Sequence, residues 1–211
     1  RFAATHRVVA IDLAGHGRSG LERKDYTMEA FGADVAAVLK KLDLKGAILI
    51  GHSMGGPVVV EAALAAPDRV AGVVAIDDFQ NVDLKLPEAS IDAFLSPFAA
   101  DFKGAVKGWV PHMFPAGADT ALVSTITNDM ASAPPPVALS AIRNLLFWMT
   151  TRTAERLKAL PAPLMCVNAD QQPTLVEPIR ALVPGFQLRV LPGSGHFLMR
   201  EKPEAFDALL A

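Results

Sequence analysis

Short apolar runs of strand length alternate with longer amphipathic segments along most of the chain. The strands predicted from these runs are residues 7–11, 47–50, 70–76, 164–167 and 186–191, and the helices between and after them are 27–42, 54–66, 174–182 and 203–210. Runs rich in Val and Ile that end at Gly, Pro or Asp are typical of buried parallel strands. Strands separated by helix-length segments predict an α/β fold, a mostly parallel, doubly wound sheet with helices on both faces.

The segment 79–160 has a different character. Prolines interrupt short helical pieces, aromatic residues are frequent, and no β-branched run of strand length occurs. This composition predicts a helical cap, residues 79–160, inserted between two strands of a core formed by residues 1–78 and 161–211.

Composition narrows the class of protein. The 211 residues are 51% hydrophobic, which suits one globular domain, and the net charge of −2 gives no electrostatic attraction to nucleic acid or to an anionic membrane. We expect neither as a partner, and the absence of a signal peptide and of a membrane-length apolar stretch favours a cytoplasmic location. The single cysteine, Cys166, lies in an apolar run, which predicts a buried, unreactive thiol. The first residue is Arg1 rather than Met, which suggests a piece of a longer protein.

Candidate chemistry centres on Gly51-His52-Ser53-Met54-Gly55, between a predicted strand and a predicted helix. A strand, a tight turn and a helix with serine at the tip form a nucleophile elbow. The turn strains the serine backbone, and the two flanking glycines are expected to let strand and helix approach without a Cβ clash. The helix N-terminus favours developing negative charge beside the serine.

A serine nucleophile requires a base and a group that orients the base. In parallel sheets such groups gather where the strands end, and His196 and Asp170 both follow predicted strands. Serine, acid, histidine is the chain order of α/β-hydrolases. Asp77 and Asp78, at the end of the strand 70–76, are the alternatives to Asp170 as the acid.

These motifs resemble the α/β-hydrolase superfamily, in particular the small serine esterases and non-haem haloperoxidase-like members with a helical cap. The resemblance rests on residues 12–19, 51–56, Asp170 and 195–197. It implies that Ser53 attacks a carbonyl, that His196 acts as base and then acid, that Asp170 orients His196, and that the Met54 N–H is one oxyanion donor. A small acyl substrate, carboxylesterase-type chemistry through an acyl-enzyme, and no metal or organic cofactor follow from it. The other histidines, including His16 and His52, are interpreted as structural.

Two observations keep other functions open. The first three strands of the resembled family, and the loop that carries its second oxyanion donor, have no counterpart here. The third of those strands would lie between residues 8–11 and 47–50, so we expect a gap in the sheet. A degenerate, non-catalytic member is therefore one alternative. The other is a nucleotide-binding oxidoreductase, since Gly15–Gly20 satisfies G-x-G-x-x-G, but the next helix signal comes only at Thr27 and no acid follows the next strand.

Overall fold

The computed structural model describes all 211 residues as one parallel sheet with helices around it. The strands are β1 (Ala47–His52), β2 (Val70–Ile76), β3 (Leu164–Ala169) and β4 (Gln187–Leu191). The helices are α1 (Met28–Lys41), α2 (Gly55–Ala65), α3 (Glu88–Ala100), α4 (Phe102–Trp109), α5 (Thr120–Ala131), α6 (Pro135–Thr151), α7 (Thr153–Lys158), α8 (Val176–Leu182), α9 (Leu198–Glu201) and α10 (Pro203–Leu210).

The strands lie in chain order, β1-β2-β3-β4, and all three pairings are parallel. Successive residues of β2 point to opposite faces of the sheet. Val73 and Ala75 belong to the main core, which includes buried residues of α1 and α2. Val74 and Ile76 belong to a smaller cluster with Phe206 of α10. Both faces are therefore covered, and the predicted α/β class with a doubly wound parallel sheet is confirmed.

Helix α1 forms where the pattern predicts it. Thr27 is the N-cap, and its Oγ1 accepts a hydrogen bond from the Ala30 N–H at 3.1 Å. Phe31, Val35 and Leu39 recur at helical spacing and are all buried, so one face of the helix packs into the main core.

The predicted strand at residues 7–11 is wrong. These residues are irregular and pair with no strand, and Val8 is 60% exposed. β1 is an edge strand with Ile48 63% exposed, and a groove of about 740 Å³ is lined by residues 9–14 together with α1 residues such as Asp34. An apolar run forms a strand only where a neighbour completes its backbone hydrogen bonds, and here none lies beside it. The sheet thus ends at β1.

Between β2 and β3 the structure contains helices and no strand. Part of this segment, predicted as a cap, has its own small core, which includes Phe98, Val110 and Phe114. Helix α6 instead sends Trp148 into the main core, where its indole N–H donates to Glu61 of α2 at 2.7 Å. None of the helices combines the length and the apolar character that crossing a bilayer requires.

Candidate active site

Ser53 occupies a sharp turn between β1 and α2. Its φ is +52°, in the left-handed region that residues with a Cβ seldom adopt. The turn is tied to the sheet because the Ser53 N–H donates to the Ile76 carbonyl at 3.0 Å, and it closes on itself because the Gly56 N–H donates to the Ser53 carbonyl at 2.7 Å. This is the backbone geometry of a nucleophile elbow.

The positions around Ser53 differ in whether they have room for a side chain. A Cβ on Gly51 would lie 2.0 Å from the Gly55 carbonyl oxygen, so strand and helix do approach too closely for a side chain. A Cβ on Gly55 itself would have no atom within 4 Å, whereas one on Gly56 would lie 2.0 Å from Asp78 Oδ2. The expected requirement for glycine two positions after the serine is therefore wrong, and the crowded position is the next one.

His196 pairs with Asp77. The His196 Nδ1 lies 2.6 Å from Asp77 Oδ2, and the second carboxylate oxygen accepts from the Ala169 N–H at 3.0 Å and the Gln80 Nε2–H at 3.1 Å. Burial alone would raise the pKa of Asp77, but the hydrogen bonds from His196 and Ala169 outweigh it and leave the pKa below its usual value. Asp77 is therefore a carboxylate at neutral pH, suited to orienting an imidazole.

Asp170 is not the partner of His196, which corrects the prediction made from its position after a strand and from the family resemblance. Its Oδ1 accepts from the Gly193 N–H at 2.8 Å, so it fastens the turn after β4 instead. The physical reason lies in the backbone at the end of β2. Asp77 adopts a left-handed φ of +47°, and its carboxylate reaches the His196 ring from there. One of the two alternatives left open, Asp77, thus contacts the histidine.

The other alternative, Asp78, points elsewhere. Its Oδ1 accepts from the Phe79 N–H, its Oδ2 has no partner, and the side chain is fully enclosed beside Gly56. Burial, with a smaller contribution from the charge of Asp77, raises the pKa of Asp78 to about 8. Asn168 holds the Asp78 peptide from both sides, with Nδ2 donating to the carbonyl at 2.9 Å and Oδ1 accepting from the N–H at 3.2 Å.

The loop that carries His196 is held by several polar contacts. The His196 N–H donates to the Met113 carbonyl at 2.8 Å, and the Glu201 carboxylate accepts from the N–H groups of Gly195 and Phe197. His52, interpreted from the sequence as structural, lies against this loop with its Nε2 2.7 Å from the His196 carbonyl. Sequence reasoning missed this contact, although the position of His52 directly before the nucleophile was a signal.

Ser53 Oγ and the Met54 N–H donate to no protein group. No hydrogen bond joins Ser53 Oγ to the His196 ring, but the residue beside the serine, His52, has its ring centroid 4.5 Å from that of His196. The structure therefore gathers Ser53, His196 and Asp77 near the carboxyl ends of β1 and β2. The Met54 N–H at the start of α2 is free to donate to an oxyanion.

The glycine motif at residues 15–20 differs in geometry from a dinucleotide-binding loop. Gly15–Gly20 forms a closed turn, in which the Gly15 N–H donates to the Gly20 carbonyl, and the next helix begins only at Met28. A dinucleotide fingerprint places the helix N-terminus at the glycines, so this loop does not match it. No cluster of three His, Cys, Asp or Glu side chains is arranged to hold a metal ion.

A sequence model described as "Alpha/beta hydrolase family" matches residues 1–209. The chain belongs to the α/β-hydrolase family. Family membership supports hydrolase activity in general, whereas the reaction and the substrate depend on the site.

Individual relatives of this α/β-hydrolase carry different activities in their names. A non-heme chloroperoxidase of Streptomyces lividans is 40% identical over 104 residues, which cover 46% of this chain and 38% of that protein. Esterase YbfF of Escherichia coli strain K12 is 26% identical over 211 residues, 95% of this chain and 79% of that protein. The structure of olei00960, a hydrolase from Oleispira antarctica, matches with a TM-score of 0.83 at 19% identity, over 94% of this chain and 77% of that one.

Proposed function

We propose that this protein is a serine hydrolase that cleaves a carboxylic ester or a similar acyl substrate through an acyl-enzyme. The observation that carries the proposal is the short Asp77–His196 contact beside a serine held at a left-handed φ in a strand–turn–helix elbow. Ser53 is the nucleophile, His196 the general base and acid, and Asp77 the residue that orients it.

The reaction follows from the atoms each group offers. With the Nδ1 proton of His196 bonded to Asp77, Nε2 is the basic nitrogen and takes the Ser53 proton as Oγ attacks the substrate carbonyl carbon. The carbonyl electron pair moves to oxygen, where the Met54 N–H stabilises it. On collapse the leaving alkoxide takes the proton from Nε2, and water then cleaves the acyl-enzyme by the same steps to release the acid and free Ser53.

The test is covalent labelling together with turnover. We expect a fluorophosphonate probe to label Ser53, and p-nitrophenyl acetate to be hydrolysed by the wild type but not by Ser53→Ala. Peptide mapping identifies the labelled residue, and circular dichroism of both proteins checks that they are folded. A label on another residue, or a folded protein that neither reacts nor turns over, would contradict the proposal and favour the degenerate alternative.

A second candidate reaction uses the same site. The similarity to a non-heme chloroperoxidase suggests that hydrogen peroxide could replace water in cleaving the acyl-enzyme, which would yield a peracid. Peracid release in acetate and peroxide, abolished by Ser53→Ala, would identify this activity. Hydrolysis of p-nitrophenyl acetate without peracid release would support the esterase assignment and exclude the peracid-forming reaction.

A further inference from the structure

His52 joins the strand that carries the nucleophile to the loop that carries the base. It is the last residue of β1, directly before Ser53, and its Nε2 lies 2.7 Å from the His196 carbonyl. Its ring also packs against the imidazole of His196, with centroids 4.5 Å apart and planes at 47°. No other hydrogen bond connects β1 to the loop that contains His196.

The protonation state of His52 suits a fixed donor. Because a carbonyl oxygen only accepts, Nε2 must carry the hydrogen. Burial, followed by repulsion from His196, lowers the pKa of His52 to about 4. His52 is therefore neutral at pH 7 and places no positive charge beside the imidazolium that His196 becomes during the reaction.

We propose that His52 is a positioning residue for the general base, with its Nε2–H fixing the His196 carbonyl relative to Ser53. This inference rests on the proposed function, since it assigns a role within the same reaction. Asp77 contacts the His196 ring from the end of β2, and the remaining contacts of the loop run to Met113, Asp170, Glu201 and Lys202. The contact from His52 adds a direct link from β1 to the base, because His52 and Ser53 are adjacent in the chain.

Two matched variants separate the donor from the ring. His52→Gln keeps an Nε2–H donor at the same reach, whereas His52→Phe keeps an aromatic ring and loses the donor. With p-nitrophenyl acetate we expect His52→Phe to lower kcat about ten-fold with KM within about two-fold, because the base acts in the transition state and not in substrate binding. His52→Gln is expected to stay within about three-fold of the wild-type kcat.

His16→Phe is the control for a histidine replaced away from the site. The His16 Nδ1 also contacts a carbonyl, that of Ala14, and its ring packs on Phe31, but it does not contact the His196 loop. We expect its kcat to stay near that of the wild type. If His52→Phe does not fold, His52→Ala tests the same loss without added bulk. An equal kcat in wild type and in the folded variant without a donor would overturn the inference.

A spectroscopic readout separates this inference from the proposed function. The Nδ1 proton shared by His196 and Asp77 is expected to give a strongly downfield proton NMR signal, which broadens or shifts in His52→Phe and is restored in His52→Gln. This signal requires no turnover. An unlabelled Ser53 in the wild type refutes the hydrolase, whereas normal labelling with an unchanged signal in His52→Phe refutes only the role of His52.

Discussion

Replacing each of the two candidate acids by its amide gives the sharpest test of the site. In Asp77→Asn, the oxygen of the new amide is expected to stay where two donors, the Ala169 N–H and the Gln80 Nε2–H, now meet Oδ1. The amide NH₂ then takes the place of Oδ2, 2.6 Å from His196 Nδ1. A donor at that position forces Nδ1 to accept, so the ring proton moves to Nε2 and the base is lost.

The expected loss of activity in Asp77→Asn follows from the wrong tautomer of His196. An aspartate-to-asparagine change with this effect lowers kcat by about 10⁴ in a serine protease triad, or about 5.4 kcal/mol of transition-state stabilisation. We expect a loss of about 10³–10⁴ in Asp77→Asn with little change in KM. In Asp170→Asn the amide oxygen can still accept from the Gly193 N–H, so we expect kcat within about three-fold of the wild type.

The assay is hydrolysis of p-nitrophenyl acetate by both variants and the wild type at pH 7.5, with urea unfolding to compare their stabilities. Asp170→Asn serves as the matched control, because it makes the same chemical change on a neighbouring loop. The assignment of Asp77 is refuted if Asp170→Asn loses activity as steeply as predicted for Asp77→Asn, or if a folded Asp77→Asn keeps more than about a tenth of the wild-type kcat.

Three further predictions concern buried groups. Asp78 has a pKa raised above its unfolded value, so the stability it contributes is complete below about pH 4 and is lost as pH rises towards about 8. In urea unfolding between pH 5 and 7, Asp78→Asn should therefore remove a decrease in unfolding free energy of about 1.4 kcal/mol per pH unit. The same pH dependence in wild type and variant would contradict this. Trp148→Phe removes the hydrogen-bond donor to Glu61 and leaves Glu61 with an ion-pair contact to Arg156 at 3.1 Å. The variant should lose about 1.5–3 kcal/mol of unfolding free energy, and unchanged stability would show that the hydrogen bond is dispensable. Cys166 is fully buried and its pKa is raised by burial, so a thiol reagent should react with it only after unfolding; rapid modification of the native protein would be inconsistent with the structure.

Local patterns were sufficient for most of the fold. The apolar run before Pro67 and the capped segment after Thr27 form the predicted helices, because the hydrophobic spacing and the cap are properties of the segment itself. The run at residues 7–11 has the same apolar character and forms no strand. A strand depends on a neighbour to complete its hydrogen bonds, and whether that neighbour is present is not a property of the run.

The candidate active site likewise has parts that the sequence predicted and one part that it did not. Ser53 and His196 were identified from short motifs, since the residues around them must satisfy the local turn geometry. The acid was wrongly predicted as Asp170, because Asp77 and Asp170 both follow strands at the same edge of the sheet and the sequence alone does not rank them. The left-handed backbone at Asp77 and the Gly193 turn that occupies Asp170 decided between them.

By itself, therefore, the sequence determined the α/β class, the elbow at Ser53 and the presence of a histidine near the end of the chain that could serve as its base. Only the tertiary structure decided that Asp77 contacts His196, that Gly56 rather than Gly55 is crowded, and that His52 lies against the base. The physical reason is that helix spacing, caps and tight turns are settled within a few residues. The partner of a side chain is settled by the packing of segments more than 100 residues apart, as for Asp77 and His196 (|i−j| = 119).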